Sequence, residues 1–166
     1  NRGVSKQKIG DYSGALDDYN KAIEYDSLFI DAYVNRGKVK VELGDFIGGK
    51  LDLDKAIKID PNNSFAYVDR GKIKNDLRDY LGAIKDLNRA IDLNPKFALA
   101  FYNRSLSQYF LNNYSNAKED FKNAIGIKPD LSAAFHNLGV ISAKQNNKND
   151  ACKNWKKGSD LGNPDS

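Results

Sequence analysis

The feature that most constrains this chain is a motif that returns every 34 residues. Its first copy reads Asn-Arg-Gly at residues 1–3, and the small third residue recurs as Gly3, Gly37, Gly71, Ser105 and Gly139. A fixed period of this length predicts a stack of similar units in which each unit packs mainly on its neighbours. The five copies follow one another without an insertion, so the stack should take up the whole chain.

Further columns with the same step predict two helices in each repeat. A small residue, a large residue four positions later and a small residue three positions after that recur in every copy, first as Ala15, Tyr19 and Ala22. This spacing places all three on one helical face, where a second helix can approach closely. The expected helices are 31–43, 46–59, 65–77, 80–93, 98–111, 114–127, 132–145 and 148–161.

These residues resemble the tetratricopeptide repeat family. The resemblance is carried by the period, the aromatic four residues before a glycine (Tyr33 and Gly37), the small–large–small face, and the proline after the second helix (Pro61). It implies an all-α fold, a right-handed α-solenoid of antiparallel helix pairs.

The repeat boundaries follow from the same alignment of the five copies. We expect one array over residues 1–166, with repeats at about 1–29, 30–63, 64–97, 98–131 and 132–166. The first repeat begins inside its first helix. The last resembles a capping unit, because Asn146 and Lys148 replace the turn glycine and the aromatic of earlier copies.

An arginine column and an aspartate column run through four repeats and end together. The arginines are Arg2, Arg36, Arg70 and Arg104, and the aspartates are Asp18, Asp52, Asp86 and Asp120. The fifth copy has Leu138 and Asn154 instead. Because a guanidinium can engage a carboxylate through two hydrogen bonds, the columns predict structural ion pairs between helices. The partner could be the aspartate of the same repeat or of the preceding one, and the rival interpretation is an anion-binding site.

The resemblance also implies that the first helix of each pair lines a concave groove that holds an extended peptide. The column before the arginine is rich in carboxamides, which both donate and accept hydrogen bonds and could hold a peptide backbone. The alternative interpretation is that these asparagines simply lie on a solvent-exposed helix face of an Asn-rich chain. The column reads Asn1, Asn35, Asp69, Asn103 and Asn137. The candidate groove residues are Asn35, Lys38, Asp69, Lys72, Leu99, Tyr102, Asn103, Leu106, Tyr109, Phe110, His136 and Asn137.

Two parts of this groove differ in character. Tyr102, Tyr109 and Phe110 make the fourth repeat apolar, which favours contact with a partner, although Tyr109 and Phe110 could instead pack against the fifth repeat. Lys38 and Lys72 should favour acidic residues of a ligand toward the other end.

Several function classes are disfavoured by the composition. The single histidine, His136, and the single cysteine, Cys152, fall on different predicted helices, so neither an enzyme nor a metal or other cofactor is predicted. A net charge of +4 without a common basic column along the groove argues against nucleic-acid binding. No apolar run is long enough for membrane insertion.

The sequence therefore predicts a protein-interaction module that binds an extended peptide or partner segment. The alternative is a structural spacer, or a unit that self-associates through exposed solenoid ends. Methionine is absent, even at position 1, so we expect a fragment of a longer chain. The Lys-, Asn- and Ile-rich composition is typical of an AT-rich genome and admits a bacterial source; the localisation is left open.

Overall fold

The computed structural model describes residues 2–162, and this part of the chain consists of helices joined by short turns. The helices are α1 (Arg2–Lys8), α2 (Tyr12–Tyr25), α3 (Ile30–Glu42), α4 (Phe46–Ile59), α5 (Ser64–Asp76), α6 (Tyr80–Leu93), α7 (Ala98–Phe110), α8 (Tyr114–Ile127), α9 (Ser132–Lys144) and α10 (Lys148–Asp160). The eight helices predicted from the sequence all have bounds within one residue of these. The groove position Asn1 lies outside the described residues.

Consecutive helices form antiparallel pairs that stack into a solenoid. Each odd-numbered helix packs against the even-numbered helix that follows it, and each pair packs against the next. First helices of neighbouring repeats also touch directly, α3 with α5 and α5 with α7. The first helices therefore lie on the inner, concave side of the array, and the second helices lie outside.

The turn inside each pair uses one left-handed residue. This residue is Gly10, Gly44, Arg78, Asn112 or Asn146, with φ of 81°, 84°, 62°, 61° and 61°. An aspartate or asparagine follows at the N-cap of the second helix, and its side chain caps the helix in every repeat except repeat 4. In repeat 2, the backbone N–H of Gly48 donates to Asp45 Oδ1 at 2.8 Å. Asparagine tolerates the left-handed region better than most residues. The last repeat therefore keeps the turn even though it has lost its glycine.

The core lies between the helices of each pair and between adjacent pairs. The small–large–small face is fully buried in repeat 3, where Ala83, Leu87 and Ala90 have no exposed surface. The glycine column permits this close approach. A Cβ atom added to Gly37 would lie 3.0 Å from the backbone oxygen of Gly49 on the partner helix.

Candidate functional site

The arginine column joins both helices of one repeat and also reaches the preceding repeat. Arg70 Nε and Nη2 donate to the two carboxylate oxygens of Asp86, at 2.7 and 2.6 Å. Its Nη1 donates to Asp54 of repeat 2 at 2.8 Å. Of the two alternatives left open by the sequence, the arginine therefore pairs with the column aspartate of its own repeat, while its partner in the preceding repeat is Asp54, which lies outside the predicted aspartate column.

The same geometry recurs along the stack. Arg36 and Arg104 engage Asp52 and Asp120 through two hydrogen bonds each, and Arg2 engages Asp18. In the preceding repeat, Asn20 accepts from Arg36 at 2.7 Å and Asn88 accepts from Arg104 at 2.6 Å. We call this set of arginines with their acceptors the arginine lattice.

Two further columns belong to the arginine lattice, and their contacts with it were not predicted from the sequence, although the aromatic column itself was recognised. An aromatic ring lies beneath the guanidinium carbons of Arg36, Arg70 and Arg104, with its centroid at 5.5 Å in each case; the rings are Tyr33, Tyr67 and Phe101. A lysine four residues after the arginine contacts the same aspartate in three repeats: Lys6, Lys40 and Lys74, at 3.2, 2.9 and 2.8 Å. The sequence signal that could have indicated the lysine contacts is the recurrence of lysine four residues after the arginine, which ends at Gln108 in repeat 4.

Electrostatics favour the charged form of Arg70. Burial of Arg70 disfavours its charge, but the hydrogen bonds to Asp86 and Asp54 outweigh that effect and raise its pKa. The Arg70 side chain is only 17% exposed. With Nε, Nη1 and Nη2 each bonded to protein, Arg70 acts as part of the scaffold.

The fifth repeat has a different contact set at the same place. Leu138 is buried where an arginine would stand. Asn154, in the aspartate column, donates to the backbone oxygen of Asp150 on its own helix at 2.8 Å. Lys157 Nζ lies 5.0 Å from the ring centroid of Phe135, so a cation still stacks on the aromatic column although it comes from the other helix.

The concave surface is formed by four positions of each first helix, spaced i, i+4, i+7 and i+11. These positions are Asp31, Asn35, Lys38 and Glu42 on α3; Phe65, Asp69, Lys72 and Asp76 on α5; Leu99, Asn103, Leu106 and Phe110 on α7; and Ala133, Asn137, Val140 and Lys144 on α9. All are exposed or half-buried. The groove is therefore charged along α3 and α5 and mostly apolar along α7 and α9.

One of the two predicted groove lysines is paired within the protein. Lys38 Nζ lies 3.0 Å from Asp69 Oδ2. Burial raises the pKa of Asp69 above its ordinary value, and the charges of Lys38 and Lys72 oppose that shift. Lys38 therefore contributes little free positive charge, and Lys72 is the more exposed cation of the two.

The carboxamide column is partly engaged by the protein itself. Asn103 Nδ2 donates to the backbone oxygen of Leu99 at 2.8 Å, and Asn137 Nδ2 donates to the hydroxyl of Tyr102 at 3.3 Å. A carboxamide has a second N–H and an oxygen acceptor, so each retains further hydrogen-bonding capacity. His136 lies half-buried on α9, one residue before Asn137.

The aromatic residues of repeat 4 have different roles. Tyr102 and Tyr109 pack against a buried cluster that includes Phe121 and Ile141, and Lys144 Nζ lies 5.3 Å from the ring centroid of Tyr109. Tyr109 thus packs on the fifth repeat, as the alternative interpretation of the sequence held. Phe110 is 53% exposed and stacks on Tyr80 of repeat 3 at a centroid distance of 5.0 Å.

Two properties of residues 2–162 bear on other function classes. Within this range, no three or more His, Cys, Asp or Glu side chains are grouped so that they could hold a metal ion. No helix in the same range has the length and apolar character needed to cross a membrane.

Comparison with known proteins places these features in a family context. The tetratricopeptide repeat profile matches residues 30–63, 66–97 and 98–131, and a related TPR repeat profile matches residues 8–44. No curated protein sequence matches the chain.

Solved structures share the fold over nearly the whole length. A crystal structure of MamA is 26% identical, with a TM-score of 0.85 over 97% of this chain and 94% of that chain. MamA from Desulfovibrio magneticus RS-1, residues 41 to the end, is 19% identical, with a TM-score of 0.86 over 97% and 91% of the two chains. YrrB, described as a TPR protein with an unusual peptide-binding site, is 24% identical, with a TM-score of 0.75 over 96% and 82%. At these lower identities, the likeness to the last two concerns the fold.

Proposed function

Because the chain belongs to the tetratricopeptide repeat family, whose members are generally non-catalytic protein-interaction modules, we propose that it binds an extended segment of a partner protein in its concave groove. No catalytic role is assigned to any residue. His136 and Cys152 lie on different helices, α9 and α10.

The observation that carries this proposal is the exposed apolar surface beside the carboxamide column. Phe65 and Leu99 are 60% and 46% exposed on the concave side, and the backbone oxygen of Leu99 accepts a hydrogen bond from Asn103. Exposed apolar residues with a polar surround are typical of contact sites. Side chains of a bound segment could bury this apolar surface while its backbone exchanges hydrogen bonds with the carboxamides.

The expected affinity is modest. Burial of one large apolar side chain is worth about 1.5–3 kcal/mol, and each backbone hydrogen bond contributes roughly 1 kcal/mol. Ordering a flexible segment and desolvating polar groups oppose these gains. The balance favours a dissociation constant on the order of micromolar.

YrrB lends support by analogy only. A peptide-binding site is described for that protein, and the two chains share the same fold. The partner proposed for this chain is likewise a protein or peptide, and no nucleic acid is proposed.

The experiment is a selection of binders from a displayed library of random 12-residue peptides. The affinities of the selected peptides are then measured for the parent chain and for Leu99→Ala and Asn103→Ala. Leu51→Ala is the matched control, since Leu51 is 60% exposed but lies on a second helix, α4. We expect both concave variants to weaken binding several-fold and the control to leave it unchanged.

The opposite result favours the alternative function. If the peptides tolerate both concave substitutions, the groove proposal is wrong, and a structural spacer or self-association unit should replace it. Light scattering of the parent chain over a concentration series then separates a monomeric spacer from a self-associating unit.

A further inference from the structure

One cavity of about 230 Å³ opens onto the concave surface between α3 and α5. Its lining combines the apolar residues Val41, Leu53 and Ile73 with the polar and charged residues Gln7, Lys38, Glu42, Asp69 and Lys72. This volume is below the roughly 300–1,000 Å³ typical of sites that hold a whole small molecule. It is therefore suited to a single side chain.

The repeat architecture shows what fills the same position elsewhere in the molecule. Between α7 and α9, two repeats further along, the residue equivalent to Val41 is Tyr109. The residues equivalent to Leu53 and Ile73 are Phe121 and Ile141, and Tyr109 packs against the cluster that contains them. An aromatic ring of the protein itself thus occupies the counterpart of the cavity.

The intervening junction is closed in another way. Between α5 and α7, Asn75 replaces Val41 and Ser107 replaces Ile73. Ser107 Oγ donates to Asn75 Oδ1 at 2.6 Å, and Asn75 Nδ2 donates to the backbone oxygen of Asn103 at 3.0 Å. These hydrogen bonds join α5 to α7, whereas the short side chain of Val41 leaves the α3–α5 position open.

We propose that this cavity is the anchor site of the groove and takes one aromatic side chain, Tyr or Phe, from the bound segment. The inference rests on the proposed groove function and names the residue that the partner must supply. Its chemical basis is the fit of Tyr109 at the equivalent place. It also includes Lys72 of the cavity lining, because Lys38 is paired with Asp69 and a free ammonium near a ring face is attracted to the ring. Lys144 over Tyr109 is the internal example of that contact.

The direct test titrates the isotope-labelled chain with N-acetyl-tyrosinamide and, as an aliphatic comparator, N-acetyl-leucinamide. We expect saturable amide shifts for Val41, Leu53 and Ile73 with the tyrosine probe and weaker shifts with the leucine probe. Absence of saturable shifts at these residues, or tighter binding of the leucine probe, would overturn the proposal. This titration uses the parent chain and does not depend on any variant folding.

Variants sharpen the test. Val41→Tyr supplies the ring that Tyr109 supplies in repeat 4, so it should fill the cavity and abolish the shifts, whereas Val41→Ala leaves the cavity open and should preserve them. Peptides selected from the displayed library should contain a Tyr or Phe, and Val41→Tyr should weaken them about tenfold or more, the scale expected for losing burial of one large side chain. Unchanged affinity in a folded Val41→Tyr chain would contradict the proposal.

The two proposals fail in different ways. Peptides that depend on Leu99 and Asn103 but lack an aromatic residue, or tolerate Val41→Tyr, leave the groove function standing and remove the anchor site. Peptides that tolerate changes at all three positions remove both.

Discussion

Repeats 2 to 4 and repeat 5 share one backbone but hold their helices together by different chemistry. In the middle repeats, an arginine bridges its own repeat to the preceding one, as Arg70 does between Asp86 and Asp54. In repeat 5, Leu138 is buried at the same position and the polar partners are gone. The comparison shows that the stack can be continued without the arginine and its two acceptors.

The loss of the arginine in repeat 5 also explains a change in the column that accepts its hydrogen bond. Asn20, Asp54 and Asn88 accept from the arginine of the next repeat. The following member of that column is Lys122, which faces the repeat that has Leu138. A lysine could not accept from an arginine and would repel it. Acceptor, arginine and aspartate therefore change together, as expected for members of one network.

The largest effect is expected from breaking the arginine lattice where it has least support. Arg104→Ala should lower the free energy of unfolding by about 2–4 kcal/mol, because it leaves the buried Asp120 without a positively charged partner. Earlier repeats have a lysine as a second partner of this aspartate, but repeat 4 has Gln108 at that position. Arg36→Ala should cost less, about 1–2 kcal/mol, because Lys40 still lies 2.9 Å from Asp52. Urea unfolding of both variants measures the difference.

The control for this prediction is the double variant Arg104→Ala with Asp120→Ala. It should recover part of the loss, since no buried charge then remains. If Arg104→Ala and Arg36→Ala lowered the free energy of unfolding equally, the lysine column would not stabilise the aspartates.

A second prediction transplants the arginine lattice into the fifth repeat. Leu138→Arg alone should destabilise the chain by about 1–3 kcal/mol, because the guanidinium meets Lys122 and lacks a carboxylate. Adding Asn154→Asp and Lys122→Asn supplies both acceptors and should recover most of this loss. A triple variant as unstable as the single one in thermal unfolding would mean that the columns do not act as a unit.

The glycine column gives the third prediction. Gly37→Leu should overpack the approach to Gly49 and destabilise by about 1–3 kcal/mol. Repeat 4 tolerates a side chain here, as Ser105 is buried and donates to the Tyr102 backbone oxygen. Ser105→Gly should therefore change stability by less than about 1 kcal/mol. Calorimetry that finds Gly37→Leu as heat-stable as the parent would contradict the steric role of the glycine.

The smallest effect concerns Asp69, the one acid in the carboxamide column. Burial raises its pKa above the ordinary 3.8, so its contribution to stability is full below that value and is lost as the pH rises through the folded-state pKa. Asp69→Asn removes this titration. Relative to the parent, the variant should gain stability as the pH rises from 3.5 to 7, by less than about 1 kcal/mol because Lys38 and Lys72 already offset part of the cost. Urea unfolding across this range that shows a constant difference would contradict the assignment.

The sequence by itself determined the fold, the bounds of eight helices and the matching of an arginine column with an aspartate column, but not which repeat supplies the aspartate. These follow from rules that act over short distances and repeat five times. Glycine and asparagine mark the turns, small–large–small spacing marks the buried faces, and Arg36 and Asp52 have counterparts that vanish together in repeat 5.

Only the tertiary structure decided how equivalent positions are used. Val41, Asn75 and Tyr109 occupy one column but have different roles. Val41 leaves a cavity open, Asn75 closes its junction by hydrogen bonds, and Tyr109 fills the equivalent space with its ring. The same holds for Lys38, whose charge is paired with Asp69 of the next repeat. Such outcomes depend on side chains that meet across two repeats. The period assigns each residue its place on its own helix, but the volume and charge facing it come from a neighbour whose sequence varies independently.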